Sequence, residues 1–194
     1  MKVLAVVGGI IVLLVAVIWS TYSGIISKDE AVTESWGNVE ATYQRRADLI
    51  PSLVKIVKSY AKHEKETFQA VTEARASVGK IQISEKMLSN PEMLNKFQAV
   101  QGELSSVLSR LMAVAEAYPD LKANEQYLKL QDQLEGTENR INVARQRYNK
   151  AVRMFNVAIR QPVGAFVNNT FLHLKKRVPF KAKEGADIAP VIDM

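Results

Sequence analysis

The sequence predicts an all-α protein, in which an N-terminal transmembrane helix is followed by a long antiparallel helical bundle with heptad-like packing. Two observations predict this fold: the chain begins with a long uncharged apolar run, and afterwards apolar residues recur at the three- and four-residue spacing of packed helices. A length of 194 residues leaves room for a membrane segment and one domain. We divide the chain into an anchor (residues 1–27), a helical bundle (28–160) and a basic and apolar tail (161–194).

The N-terminal segment is long enough to cross a bilayer. No charged residue lies between Val3 and Ser27, and about 20 apolar residues span the hydrocarbon core. Trp19 and Tyr22 close the run, where aromatic rings favour the headgroup level. The alternative is a cleavable signal peptide, but its apolar region usually has about 7 to 15 residues and ends at small residues, which Thr21-Tyr22-Ser23 does not resemble. We therefore expect an uncleaved anchor.

The apolar pattern continues beyond the anchor on one face of a helix, at Val32, Trp36, Val39 and Tyr43. A second helix is indicated by Asp48 as a cap, Pro51 in the first turn and Gly79 at the end. The segment from Arg46 to Ile50 is then either a hairpin turn or a kink. We predict the turn, because a helix that ran from the membrane to Val78 would have no partner to cover its apolar stripe.

Two further helices carry heptad patterns. The third begins at Asn90-Pro91 and ends at Pro119-Asp120, and Gln101 occupies one of its otherwise apolar seam positions. The fourth runs from about Asn124 to Arg160, about 55 Å at 1.5 Å per residue. Its seam alternates steps of three and four without interruption. The seam residues are Tyr127, Leu130, Leu134, Thr137, Ile141, Ala144, Tyr148, Ala151, Phe155 and Ala158.

Gly102 and Gly136 lie inside the third and fourth predicted helices. Glycine in a helix interior costs about 1 kcal/mol relative to alanine. Either two helix backbones approach closely at these glycines, or the glycines occupy surface positions without a role, and the sequence leaves both alternatives open.

The charge distribution argues against nucleic-acid binding. The net charge is +6, and Lys2 contributes one unit. From Arg160 onward six basic and three acidic residues give +3, which leaves +2 for the bundle. A nucleic-acid binder needs a basic stripe on its folded domain to displace phosphate counterions. The chain has no cysteine, so disulfides and thiolate chemistry are excluded and the compartment cannot be inferred from redox state.

Catalytic and metal-binding motifs are missing from the sequence. A di-iron carboxylate bundle needs Glu-x-x-His on two helices, but Tyr60 and Thr170 precede the two histidines, His63 and His173, by three residues. His63-Glu64 begins like a zinc-protease H-E-x-x-H motif, yet the fifth residue is Thr67. We therefore predict no catalytic, cofactor-binding or metal-binding residues, and a protein that is not an enzyme.

Two polar clusters are the candidate interaction residues, one beside the predicted first turn and one in the last long helix. Ion pairs on solvated helix faces are the first interpretation, and such pairs contribute only tenths of a kcal/mol, about 0.3 to 0.5 each. A surface that binds a partner is the second. The candidate residues are Arg45, Arg46, Asp48, Glu138, Arg140, Arg145 and Arg147.

The tail interleaves apolar residues with five bases, which form a candidate membrane surface. An up-down bundle of four helices returns its C-terminus to the side of the anchor, so the tail is expected near the headgroups. In the alternative, the apolar residues pack along the base of the bundle and the bases are solvated. The five bases are Lys175, Lys176, Arg177, Lys181 and Lys183.

Several strings resemble the LemA family of bacterial membrane proteins, and the resemblance covers nearly the whole chain. The most specific strings are Tyr43-Gln44-Arg45-Arg46-Ala47-Asp48-Leu49-Ile50-Pro51, Tyr118-Pro119-Asp120-Leu121-Lys122-Ala123 and Leu134-Glu135-Gly136-Thr137-Glu138-Asn139-Arg140-Ile141. The resemblance implies an inner-membrane protein with one N-terminal span and a soluble helical bundle. It implies no catalytic residues, because the family has none established.

The functional hypothesis is a non-enzymatic scaffold at the bacterial inner membrane, which self-associates or recruits partners. The alternative is an envelope sensor that transmits a signal through the bundle. Expected partners are the lipid bilayer, further copies of the chain and other membrane proteins, with no nucleic acid. The basic residues Lys2, Lys28, Arg45 and Arg46 flank the anchor on both sides, and we favour a single-pass topology with the bundle in the periplasm.

Overall fold

A computed structural model describes residues 2–81 and 85–181 of the chain. Every regular element in these two ranges is helical, which confirms the predicted all-α class. A 3-10 turn at Glu85–Ser89 precedes α3, and a π-helical turn at Asn168–Leu172 follows α6. The helices are α1 (Lys2–Tyr60), α2 (Lys65–Gly79), α3 (Pro91–Glu116), α4 (Pro119–Lys122), α5 (Glu125–Ala158) and α6 (Pro162–Val167).

Helix α1 runs for 59 residues without a break, so the predicted turn at residues 46–50 is wrong. Pro51 lies inside this helix, where its missing N–H frees the carbonyl of Ala47 four residues earlier. The Nε of Arg75 in α2 donates a hydrogen bond to that carbonyl at 3.2 Å. A distant side chain thus satisfies the group that would otherwise favour a helix break, and the chain reverses only after Tyr60.

The long helices alternate in direction. Helices α1 and α3 run away from the N-terminal segment, and α2 and α5 run back toward it. The face of α1 is covered mainly by α5, and α2 packs on α3. The core has two parts. The anchor-side core includes Ile25, Trp36, Phe97 and Tyr148. The far core includes Leu53, Phe68, Leu104, Leu111 and Leu134. Because α5 runs back from the far core, it returns the C-terminal part of the chain to the anchor side.

The seam predicted for the last long helix coincides with the buried face of α5. Seven of its ten residues are buried, and Leu130, Ala151 and Ala158 are half-buried. Helix α5 begins close to the predicted start, and the side chain of Asn124 caps it by accepting a hydrogen bond from the backbone N–H of Tyr127 at 3.0 Å. Asn90 caps α3 in the same way.

The first part of α1 is uncovered. All side chains from residue 2 to residue 17 are exposed. Among the described residues, α1 is the one helix whose length and composition would let it cross a membrane. Bundle packing begins before this apolar segment ends, because Ile25 is 1% exposed and belongs to the anchor-side core.

The glycines inside the helices divide into two kinds. A Cβ atom added at Gly102 or Gly136 would meet no atom of another described element within 4 Å, so these glycines are not sites of close backbone approach. A Cβ at Gly164 in α6, in contrast, would overlap the backbone carbonyl oxygen of Ala158. Gly164 therefore lets α6 fold back tightly against the end of α5.

We predict opposite effects of alanine at these glycines. Gly102→Ala and Gly136→Ala should each raise the free energy of unfolding by up to about 1 kcal/mol, because alanine loses less backbone entropy in a helix and meets open space. Gly164→Ala should lower it, because the carbonyl of Ala158 cannot move away without shifting α5. Chemical denaturation of the full chain in detergent, followed by circular dichroism, measures all three. Destabilisation by the first two variants would show that the space around them is filled.

Candidate functional site

A buried arginine joins three helices near the middle of the bundle. Arg46 in α1 is 1% exposed. Its Nη1 donates to Oε1 of Glu138 in α5 and to Oγ of Ser105 in α3, both at 2.7 Å. Its Nη2 donates to the side-chain oxygen of Gln101 and, at 3.3 Å, to the backbone carbonyl of the same residue. We call Arg46, Gln101, Ser105 and Glu138 the arginine network.

The arginine network is open to water on one side. The side chain of Glu138 is 40% exposed, whereas that of its partner Arg46 is 1% exposed. The guanidinium also lies over the ring of Tyr43, 5.1 Å from its centroid, and Nε of Arg46 has no hydrogen-bond partner among the described residues. A buried guanidinium is costly unless it is paired. The partly hydrated carboxylate of Glu138 supplies that pairing.

Tyr43 extends the polar region toward the anchor-side core. Burial raises the pKa of its hydroxyl above the usual value of 10.0, while the positive charges of Arg145 and Arg46 act in the opposite direction. Arg145 is partly exposed and lies on α5, two turns beyond Glu138. The structure therefore brings three of the seven candidate interaction residues close to one another: Arg46, Glu138 and Arg145.

The other four candidate interaction residues lie on the surface. Arg45 and Asp48 are exposed on α1, and Asp48 accepts a hydrogen bond from Gln44 at 2.7 Å. Arg140 and Arg147 are exposed on α5. Arg147 lines a shallow depression of about 170 Å³ together with Lys28 and Lys150.

Sequence reasoning missed Gln101 and Ser105 as members of the arginine network. A signal for Gln101 was present, because a polar residue at a heptad seam position needs a buried partner. Ser105 carried no such signal, and the partner of Gln101 could not be identified, since Arg46 lies 55 residues earlier in the chain.

The C-terminal tail is bound to the bundle through a second arginine. Arg177 donates from Nε to Oδ1 of Asp29 at 2.8 Å and from Nη2 to Oδ2 at 2.9 Å. Its Nη1 donates to Oγ of Ser89 at 3.1 Å. The backbone N–H and carbonyl of Arg177 pair with the side chain of Asn156 in α5, at 2.9 and 2.8 Å. This bidentate ion pair is largely shielded, with side-chain exposures of 13% and 16%.

Beyond Arg177 the tail lies along the bundle without regular secondary structure. The backbone N–H of Val178 donates to the carbonyl of Leu88 at 2.7 Å, and the carbonyl of Val178 accepts from the hydroxyl of Tyr148 at 2.9 Å. Asn149 pairs with both backbone groups of Phe180. The ring of Phe180 stacks on Trp36 with centroids 5.8 Å apart. We call residues 177–181 the strap.

The strap leads away from the N-terminal segment. Its contacts on α1 move from Asp29 at Arg177 to Trp36 at Phe180, which is about 10 Å along a helix. At its end, the carbonyl of Lys181 accepts from Arg145 at 3.0 Å. The strap therefore packs along the bundle. For the apolar residues of the tail, packing on the bundle is the alternative to membrane contact.

The described residues of the candidate membrane surface lie in different environments. Arg177 is paired with Asp29, and its side chain is 13% exposed. Lys181 is exposed but lies on the strap, displaced from the anchor side. Lys175 and Lys176 are exposed at the start of the tail, and Lys183 lies outside the described residues.

The family model for the LemA family matches residues 35–194, more than half of the chain. The chain belongs to the LemA family. No curated protein has a significant sequence match to it. The region matched to the LemA family contains Arg46, its partners in α3 and α5, and the strap, whereas Asp29 and the apolar segment precede it.

We predict that removing the charge of Glu138 destabilises this LemA-family protein more than removing both charges. Glu138→Gln leaves the buried guanidinium of Arg46 without a carboxylate. We expect a loss of about 2 kcal/mol, below the figure of about 3 to 5 kcal/mol for fully buried pairs because Glu138 is partly hydrated. In the double variant Arg46→Met/Glu138→Gln, the uncompensated charge is absent and part of the loss should be recovered.

Thermal and denaturant unfolding of the single and double variants measures this coupling. Glu135→Gln is the matched control, because Glu135 is an exposed acid one turn earlier on the same helix. A Glu138→Gln variant as stable as the control would show that the ion pair does not stabilise the bundle.

Proposed function

We propose that this LemA-family protein is a membrane-anchored, non-enzymatic helical scaffold at the bacterial inner membrane, which self-associates or recruits partner proteins. One observation carries the proposal: α1 joins an uncovered apolar segment to the bundle without a break. The part of α1 from Lys28 to Tyr60 is about 50 Å long at 1.5 Å per residue. A single rigid helix of this kind holds the far end of the bundle at a set distance from the bilayer.

The packing within the bundle supports a role as a rigid platform. The arginine network ties α1, α3 and α5 together, and the strap connects α1 to α5 through Asp29 and Asn156. The exposed residues Arg140 and Arg147 project from α5, the helix that covers α1. We propose the outer face of α5 as the contact surface for a second copy or a partner protein.

We further propose a single-pass topology with the bundle on the periplasmic side. Bases lie on both flanks of the apolar segment, Lys2 before it and Lys28, Arg45 and Arg46 after it, so the side is decided by the cross-linking comparison before and after lysis. Arg46 is buried in the bundle, so its charge influences the orientation of the chain in the membrane only before the bundle folds.

An envelope sensor is the second candidate function. The observation that favours it is the asymmetric arginine network, in which a buried guanidinium depends on a carboxylate that is 40% exposed. A ligand that bound Glu138 would remove the ion-pair partner of Arg46. Arg46 lies on α1, the helix that also contains the apolar segment. Ligand-dependent hydrogen exchange in α1 would support this function over the scaffold.

Cross-linking in membranes tests the scaffold directly. A membrane-impermeant, amine-reactive cross-linker is added to intact spheroplasts that contain the full chain. We expect discrete dimers or reproducible adducts with a partner, and we expect Arg140→Glu/Arg147→Glu to reduce them severalfold. Lys96→Glu on α3 is the control, because it changes an exposed base on another helix.

The outcomes separate the parts of the proposal. Adducts that form only after lysis would place the bundle on the cytoplasmic side and leave the scaffold intact. Monomers alone, before and after lysis, would contradict the scaffold.

A further inference from the structure

Three large apolar side chains are exposed together where the chain leaves the bundle. Val163 and Phe166 lie on α6, and Phe171 lies on the π-helical turn that follows. Their exposed fractions are 44%, 55% and 55%. Exposed apolar clusters of this kind are typical of surfaces that contact a partner or a membrane.

The opposite face of α6 packs against the bundle. Gly164 and Val167 are buried, and α6 packs against α1. Gly164 has its backbone against Ala158, with the side chain of Ile25 close by. The exposed residues of α6 therefore cannot turn inward without breaking these contacts.

The position along α1 identifies what the exposed face meets. Ile25 lies three residues beyond Tyr22, about 4.5 Å along the helix. The headgroup layer on each side of a bilayer is about 5 to 7 Å thick. If the apolar segment up to Tyr22 crosses the hydrocarbon core, Gly164 lies at the height of the headgroups.

The turn that carries Phe171 is closed by its own hydrogen bonds. The side chain of Asn168 donates to the carbonyl of Leu174 at 3.1 Å and accepts from its N–H at 3.0 Å. His173 adopts a left-handed conformation with φ of 52° and donates from its backbone N–H to the carbonyl of Asn168 at 2.7 Å. The segment is thus a fixed projection of the bundle.

The charged residues that flank the projection in the sequence are all basic. Arg160, Lys175 and Lys176 are exposed on either side of it, and the sequence contains no acidic residue from 160 to 176. Bases beside exposed aromatic and aliphatic side chains are the pattern of an element that lies in the interface of a membrane with anionic lipids.

We propose that α6 and the π-helical turn form a membrane-interface foot, in which Val163, Phe166 and Phe171 enter the headgroup layer beside α1 and Lys175 and Lys176 bind anionic lipid headgroups. This inference rests on the proposed anchoring by α1. It gives the bundle a second contact with the bilayer, so that the tilt of the bundle on its anchor is limited. The contact is made by residues 163–176, and the strap is not part of it.

Spin labelling of the full chain in liposomes of zwitterionic and anionic phospholipids tests the foot. The chain has no cysteine, so Phe166→Cys and Phe171→Cys each provide a unique site. Collision rates with oxygen and with a water-soluble nickel chelate report immersion. We expect both sites to be at least threefold less accessible to nickel than Ser106→Cys, an exposed site on α3. Val12→Cys in the apolar segment is the reference for the hydrocarbon core.

The pattern of results identifies which claim fails. A lipid-immersed site at Val12 together with water-accessible sites at 166 and 171 would contradict the membrane-interface foot and support the anchoring by α1. A water-like Val12 site would overturn both. Sites at 166 and 171 that are shielded from oxygen as well as nickel would show that protein covers them, as in a contact with a second copy, and would also overturn the foot.

Charge reversal separates lipid binding from immersion alone. Lys175→Glu/Lys176→Glu should increase nickel accessibility of the Phe166→Cys site at least twofold in anionic liposomes. Lys181→Glu, an exposed base on the strap, should leave it unchanged. An equal response to both variants would contradict the assignment of lipid binding to Lys175 and Lys176.

Discussion

The constraint on which this structure depends is that one unbroken helix begins with uncovered apolar side chains and ends in a bundle. All side chains of α1 before Ile18 are exposed, whereas its inward face beyond Gly24 is buried. That face has to be covered over about 50 Å. A single antiparallel helix of matching length, α5, covers most of it. The α2–α3 pair then completes the far core, and α6 and the strap complete the core nearest the anchor.

Polar contacts determine how the helices align on this apolar framework. Two helices with heptad-spaced apolar seams can shift against each other by seven residues at a small cost in free energy. A buried guanidinium opposes such a shift, because few positions offer it a partner. Arg46 fixes α1 against α3 and α5 at mid-height. Arg177 fixes the strap against α1 at the anchor side. The two arginines therefore specify the register at two heights, about 17 residues or 25 Å apart on α1.

The sequence predicted the parts of the fold that depend on local chemistry. The start of α3 at Asn90 and the seam of α5 depend on residues within a few turns of one another, and the structure contains both. The prediction at Pro51 is wrong because proline disfavours a helix locally, while the hydrogen bond that offsets it comes from Arg75 on another helix. A tertiary contact therefore outweighs the local tendency of Pro51 to break the helix.

The candidate site was predictable only in part for the same reason. Arg46 and Glu138 were both identified, but as members of two separate surface clusters, since 92 residues separate them. The basic and apolar neighbours of Arg177 in the sequence predict a membrane surface, and they contain no signal for an ion pair. Asp29, the partner of Arg177, lies 148 residues away, and no periodic pattern connects the two.

The continuity of α1 is the central claim, and one distance tests it. Asn38 and Ser59 are exposed on α1 on either side of residues 46–50, and spin labels on the pair Asn38→Cys/Ser59→Cys allow a double electron–electron resonance measurement in the full chain. An unbroken helix places the two sites about 31 Å apart at 1.5 Å per residue. A hairpin turn at 46–50 would bring them to about 10 Å, the spacing of packed antiparallel helices, and would contradict the account.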